Sequence, residues 1–326
     1  MIDGIGKIGV FRALQLGDLL CVIPAMRALR RAFPRAEITL LGLPWARGFV
    51  ERFCGYFDRF VHFPGCPGLP EQGYDAGALE RFIVSMREER FDLLLQMQGN
   101  GTIVNRLLSE FGARRLAGFH NAESRMDPAF FVEYPEGIHE IRRHLRLMGH
   151  LGIAADGEEL EFPICEADEA EIAALKLPVV PGRYVCIHPG SRGAWRQWPP
   201  AHFAQLGNIC AEKGLAVVVT GTAAEAAITR VVRDVAACPV VDCTGRTSLG
   251  AMGVLLRDAA LLIANCTGVS HMAAALRTPS LIISMDGEPY RWGPLDRSRH
   301  VTIDWMMRPR FGEVVDALEE LMVVCG

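Results

Sequence analysis

Paired cysteines are missing from this chain. Its ten cysteines are scattered singly, none in a C-x-x-C pair, and most interrupt apolar runs such as Val185-Cys186-Ile187 or Val241-Asp242-Cys243. That usage excludes a disulfide scaffold and points to buried thiols in a reducing compartment. A metal motif is missing too. The nine histidines show no ligand spacing: His139-Glu140 is followed by His144, which lies off the helix face that H-E-x-x-H requires. No metal is expected. No apolar run approaches the ~20 residues of a membrane-spanning helix, and the N-terminus lacks the basic-then-apolar layout of a secretory signal. A cytoplasmic protein is expected. Charge of one sign is scarce as well, and a net charge of −4 gives no long-range pull on nucleic acid, so no such partner is expected. The clusters Arg27, Arg30, Arg31, Arg35 and Arg142, Arg143, Arg146 read as solvated helix faces, with an anionic acceptor or membrane surface as the alternative.

What is present suffices for two domains. The chain has 326 residues, half of them apolar, and its 33 glycines and 19 prolines fall between short apolar runs as in repeated βα connections. Short β-rich runs alternate with amphipathic ones. Ile8 to Leu14 precedes Leu19 to Phe33, and Glu37 to Leu41 precedes Trp45 to Phe53. Arg59 to Phe63 precedes Ala78 to Glu89, and Phe91 to Gln96 precedes Ile103 to Phe111. Arg115 to Gly118 and a helix from His139 to Leu151 complete this half. Such alternation implies a parallel sheet covered by helices. The acidic stretch from Glu166 and the run Leu177-Pro178-Val179-Val180-Pro181-Gly182 mark a linker over 166–182 between domains at 1–165 and 183–308. Alternation then restarts with Tyr184 to His188 and runs through Leu249 to Arg257. Ligands of such sheets bind beyond the carboxyl ends of the strands, which makes a cleft between the domains the expected site.

Leu261 to Leu276 reads as strand, tight turn and helix. Thr267, Gly268, Val269 and Ser270 would present N–H groups at the helix start, where an anion such as phosphate is favoured; the plainer reading is a capped helix with His271 in the core. Gly4-Ile5-Gly6-Lys7-Ile8-Gly9 formally matches G-x-G-x-x-G, but a strand should precede it and only three residues do, so no nicotinamide cofactor is expected. Gly17-Asp18 sits where the first strand hands over to a helix. Asp18 is either a helix cap or a general base removing a proton from an acceptor hydroxyl. His188 to Pro200 is a Gly-containing loop in which Arg196 could pair with a diphosphate, or in which Trp198 merely anchors a surface loop. Glu225, after Thr220-Gly221-Thr222, could accept from ribose hydroxyls or simply favour the helix dipole.

Taken in order, these motifs resemble the heptosyltransferases of glycosyltransferase family 9, which add heptose from ADP-heptose to the inner core of lipopolysaccharide. The resemblance runs nearly end to end: Leu16-Gly17-Asp18-Leu19-Leu20, His188-Pro189-Gly190-Ser191, Trp198-Pro199-Pro200, Thr220-Gly221, Thr244 to Leu249, Thr267 to His271, and Pro289 to Pro294. It implies an α/β GT-B fold, two Rossmann-like domains with parallel sheets facing a central cleft. The acceptor would lie on the first and the nucleotide-sugar donor on the second, with inverting transfer that needs no metal or other cofactor. Asp18 matches the base. Arg196, Thr267, Gly268, Val269, Ser270 and His271 match the diphosphate site, and Glu225, Gly221 and His188 the nucleoside site. Residues 309–326 would form a helix packing back on the first domain. Implied partners are a lipid-linked or oligosaccharide acceptor and transient contact with the inner membrane, for a monomer. Two positions depart from the family: Cys266 stands where Asp is usual, and Gln98 where many relatives carry His. They stand with Ser191 and Arg192 near the site without an assigned role. Cys266 motivates the alternative of a catalytically impaired nucleotide-sugar-binding or scaffolding protein; a nucleotide-sugar epimerase is a further alternative.

Overall fold

The computed structural model describes residues 4–325, and the chain divides into two compact units between Glu159 and Leu160. In the first unit, β1 (Lys7–Phe11), β2 (Glu37–Gly42), β3 (Arg59–His62), β4 (Leu93–Gln96), β5 (Leu116–His120) and β6 (Phe131–Glu133) form one sheet in the order β3-β2-β1-β4-β5-β6. Every pairing is parallel. The helices are α1 (Leu16–Leu20), α2 (Ile23–Ala32), α3 (Ala46–Arg52), α4 (Ala76–Glu89), α5 (Val104–Ser109) and α6 (Glu140–His150). Strand β4 is buried throughout and β1 from Ile8 onward, which explains their unbroken apolar runs. Phe11, Phe63, Phe82 and Phe111 form an edge-on aromatic chain with centroids 4.9, 5.7 and 5.6 Å apart. Gly9 lies inside β1, where a Cβ would come within 2.7 Å of Leu94 Cδ1. The first glycines therefore lead into a strand instead of leaving one, unlike a dinucleotide loop; residues 1–3 ahead of them lie outside the described residues.

The second unit comprises α7 (Glu166–Leu175), β7 (Tyr184–His188), α8 (Pro200–Glu212), β8 (Ala216–Val219), α9 (Ala226–Val235), β9 (Val240–Asp242), α10 (Leu249–Arg257), β10 (Leu261–Asn265), α11 (Gly268–Leu276), β11 (Ser280–Ser284), α12 (Pro289–Trp292), β12 (His300–Asp304) and α13 (Phe311–Cys325). Its sheet, also parallel, runs β12-β11-β10-β7-β8-β9. Counted from the first strand of each, both sheets have the doubly wound order 3-2-1-4-5-6.

Two expectations need correction. The stretch 166–175 is a helix of the second unit, not part of a linker. Glu171 accepts from the Ser248 N–H at 2.7 Å and its hydroxyl at 2.6 Å, and Glu169 pairs with Arg257 at 2.6 Å. Two of its acidic side chains are thus engaged by α10 and the cap before it. The C-terminal helix, in turn, buries Val314, Leu318 and Leu321 in the second unit's own core with Val185, Ile187, Leu281 and Ile283. That spacing supplies one apolar stripe, and the second sheet takes it. No helix among the described residues is long and apolar enough to cross a membrane.

Candidate active site

In each sheet the strand order reverses between two neighbours, β1 and β4 in the first unit, β7 and β10 in the second. Loops leaving those strands diverge, so their carboxyl ends are where such sheets admit ligands. Most residues singled out from the sequence lie at these two places, and Gly221 and Glu225 follow β8, the strand beside β7.

At the first, β1 continues through Arg12 into α1, and Asp18 lies in that helix's first turn. One carboxylate oxygen, Oδ2, accepts the Gln15 N–H at 3.2 Å, a helix-start contact. The other, Oδ1, faces Arg12 Nη2 at 3.5 Å, and the side chain stays 24% exposed. The cap contact therefore occupies one oxygen and leaves the other beside Arg12. Burial raises the Asp18 carboxyl above its ordinary value; the Arg12 charge opposes that rise and Glu140 adds to it. Arg12 is almost fully buried. Its Nε donates to the Asp18 carbonyl at 2.8 Å, Nη1 to the Met97 carbonyl, and Nη2 to Glu140 at 3.1 Å. Gln98 Oε1 accepts the Ala13 N–H at 2.8 Å, so the side chain standing in for histidine braces β1 against β4.

At the second, Asn265 ends β10 fully buried. It accepts the Trp198 N–H at 3.0 Å and donates to the Pro189 carbonyl at 2.7 Å, clasping both ends of the 189–198 loop. Trp198 anchors that loop against Phe203 and Trp305 at 5.1 and 5.2 Å. Arg196 stands over Trp195 at 4.7 Å and pairs with Asp286 at 3.2 Å. The anchoring reading of the loop is correct without displacing the arginine's. Beside it, Thr267 is extended ahead of α11, and the Ser270 hydroxyl donates to the Thr267 carbonyl at 2.6 Å. Ser270 thus shapes the turn, while Gly268 and Val269 open the helix where no preceding turn accepts their N–H groups. His271 is buried, edge-on to Trp292 at 6.2 Å. The Cys266 thiol is pushed up to about 12 by burial, with the Asp286 charge adding to it.

Around β8, Glu225 Oε2 accepts from the Thr222 N–H at 2.7 Å and hydroxyl at 2.9 Å. Its Oε1 lies where a Cβ on Gly190 would stand 2.1 Å away, and a Cβ on Gly221 would meet Thr229 at 2.9 Å. Glycine at 190 thus leaves the loop after β7 lying against the Glu225 carboxylate, which a larger residue would have to push aside. His188 Nδ1 is 3.0 Å from the Thr220 hydroxyl, and burial holds this ring below its ordinary value. Ser191 is buried and its carbonyl accepts from Gln197 at 2.7 Å, whereas Arg192 is exposed.

The model of glycosyltransferase family 9 (heptosyltransferase) matches residues 79–313, more than half of the chain. The chain belongs to that family. This glycosyltransferase is 24% identical over 288 residues to lipopolysaccharide heptosyltransferase 3 of Escherichia coli (strain K12), covering 83% of this chain and 79% of that one. Among solved structures it resembles the glycosyl transferase family 9 protein from Veillonella parvula DSM 2008, with TM-score 0.81, 17% identity and 99% of each chain covered. It also resembles E. coli ADP-heptose lps heptosyltransferase II, with TM-score 0.73, 18% identity, and 97% of this chain and 98% of that one covered. The fold is accordingly GT-B, built from two Rossmann-like units.

Four residues of this glycosyltransferase's sites escaped the sequence reading: Arg12, Glu140, Asn265 and Asp286. Asn265 and Asp286 come at or just after the ends of buried strands, where a polar residue at the carboxyl end is itself a signal. Glu140 shares a helix face with Arg143 and His144 at i+3 and i+4, a pattern visible in the segment set aside as unfit for a metal.

Proposed function

We propose that this glycosyltransferase moves heptose from ADP-heptose onto a hydroxyl of a lipopolysaccharide core or other glycan acceptor, with inversion and without a metal ion, as a monomer in the cytoplasm. The names of its relatives support this donor and acceptor class. Family membership favours transfer over epimerisation or mere binding. The observation that carries the chemistry is Asp18, a part-exposed carboxylate at a sheet's ligand-binding edge whose basicity burial raises. It accepts the acceptor hydroxyl's proton while that oxygen bonds to the anomeric carbon and the bond to the diphosphate breaks on the opposite face. Arg196 and the turn 267–270, with His271 behind it, receive the charge left on ADP. Glu225, Gly221 and His188 form the nucleoside side; Glu225 Oε1 keeps an acceptor position for a ribose hydroxyl. Acceptor binding by the first unit and donor binding by the second belong to the same proposal.

Transient membrane contact through basic residues such as Arg27, Arg30 and Arg31 belongs to it too; all three also pair with nearby carboxylates, and the Arg31 side chain stays 71% exposed. Arg30 pairs with Asp58 at 2.5 Å, Arg31 with Asp156 at 3.0 Å and Arg27 with Glu159 at 3.8 Å. The test is turnover with ADP-heptose against UDP-, GDP- and dTDP-sugars, with and without chelator, in wild type and Asp18→Asn. ADP-heptose is expected to be used, chelator to have no effect, and Asp18→Asn to cut turnover by roughly two to four orders of magnitude. Donor-induced stabilisation of about 2.7 kcal/mol at 100 times the dissociation constant should survive in that variant. Undiminished turnover would remove Asp18 from the role of base.

A further inference from the structure

One guanidinium nitrogen faces two carboxylates. Arg12 Nη2 lies 3.5 Å from Asp18 Oδ1 and 3.1 Å from Glu140 Oε1. Glu140 is closed off from behind: Arg143 donates to Oε2, and His144 Nε2 is 3.2 Å from Oε1. Arg12, Glu140, Arg143 and His144 are all buried. If Arg12 served only to brace the loop, the Asp18 and Met97 carbonyls would occupy its Nε and Nη1 without any second carboxylate. Burying a carboxylate is costly unless it is matched, so the presence of Glu140 on the same nitrogen as Asp18 demands a reason.

We infer that Glu140 is a positioning and charge-balancing residue for Asp18: by sharing Arg12 it leaves the arginine holding Asp18 in place without acting as its full counter-ion, so the carboxylate stays basic. This rests on the reading of Asp18 as the base. The charges alternate Asp18, Arg12, Glu140, Arg143 and sum to zero with both carboxylates ionised. His144 does not alter that sum at neutral pH, because burial holds it down to about 4. Among the described residues the remaining charged group facing Asp18 is Glu71, which accepts from Gln15 Nε2 at 3.1 Å and has the same sign as Glu140. The Gln15 N–H on Oδ2 completes the surroundings.

Glu140→Gln preserves shape and removes the charge, leaving Arg12 uncompensated. The Asp18 carboxyl should then titrate about one pH unit or more lower. Carbon-13 NMR of protein labelled at aspartate carboxyls reads this directly, with the Asp18 signal assigned by its loss in Asp18→Asn. The acid limb of kcat against pH should move down with it, and the plateau should fall several-fold with donor KM unchanged, because a weaker base takes the proton less readily. Glu140→Asp, which retains the charge, should restore the wild-type titration. Arg143→Gln provides the opposite sign: with Glu140 released to Arg12, Asp18 should titrate higher, a result that does not depend on Glu140→Gln folding. An Asp18 titration unmoved in folded Glu140→Gln, or moved the same way by both variants, overturns the inference. The NMR titration is independent of turnover, so an active Asp18→Asn protein would refute the base and leave the charge balance to be judged separately.

Discussion

Replacing Asn265 with alanine tests how the donor loop is held. Oδ1 takes the Trp198 N–H at 3.0 Å and Nδ2 reaches the Pro189 carbonyl at 2.7 Å, in a fully buried position. Alanine leaves that N–H and that carbonyl without partners and without water. Each stranded group costs about 1–3 kcal/mol, so Asn265→Ala should destabilise the second unit by about 2–6 kcal/mol. Two units need not unfold together, which makes a single overall free energy ill-defined. Tryptophan fluorescence isolates the relevant transition, because Trp195, Trp198, Trp292 and Trp305 lie in the second unit and Trp45 in the first. With a urea slope of about 2 kcal/mol/M, its midpoint should fall by about 1 M or more. The loop carries Arg196, so donor KM should rise by about tenfold while kcat changes little. A midpoint within a few tenths of a molar of wild type, with donor KM unchanged, would show that Trp198 packing alone sets the loop.

The same physics gives two further expectations. Burial holds His144 and His300 down to about 4, below the ordinary 6.5, so each must gain a proton on unfolding in mildly acidic solution. For a base whose folded value is depressed in this way, stability is fully present above pH 6.5 and is lost as pH falls toward 4, by up to about 3 kcal/mol per histidine. Urea midpoints of the first unit's transition across that window should decline in wild type and flatten in His144→Gln, while those of the second unit keep the decline due to His300; an unchanged slope in the first unit would refute the assignment. Cys266→Asp restores the residue usual in the family, yet Asp286 is nearly buried beside it and already disfavours ionisation there. The added carboxylate should weaken donor binding about tenfold by like-charge repulsion. Adding Asp286→Asn should recover it, whereas tighter binding by Cys266→Asp alone contradicts the reasoning. Calorimetric titration with ADP decides.

Periodicity made the central strands legible because parallel strands buried on both faces read as apolar runs between glycine-rich turns. Tyr184–His188 and Leu261–Asn265 are found where they were read. The edge strands were not all as clear: β6 has only three residues, and the stretch holding β11 and β12 showed no long amphipathic helix between them to set the rhythm. Capping chemistry at Asp18, Ser270 and Glu225 was visible locally, since its partners lie within three residues. Arg12 was invisible for the opposite reason. Its partners Met97 and Glu140 are 85 and 128 residues away, and no local rule couples them. The segment of α7 was assigned to the linker because its partners Ser248 and Arg257 lie 77 and 88 residues away, beyond any local window.

On the proposed function, one strand order, used twice, supports two kinds of chemistry because the segment leaving the first strand differs between the sheets. After β1 the chain needs only four residues to enter a five-residue helix, so the polar groups at that edge are side chains: a carboxylate in the first turn and a buried arginine beneath it. That suits proton transfer, which needs one group of tuned basicity. After β7 the chain runs through a long loop before α8, and the neighbouring β10 leads straight into α11, so the edge combines a guanidinium with backbone N–H groups. Those donors cannot titrate near neutral pH and so hold an anion over a wide range of conditions. On that proposal the carboxylate of Asp18 is the titratable group at the first edge, and its neighbours Arg12 and Glu140 are where its titration should be altered without touching the donor loop.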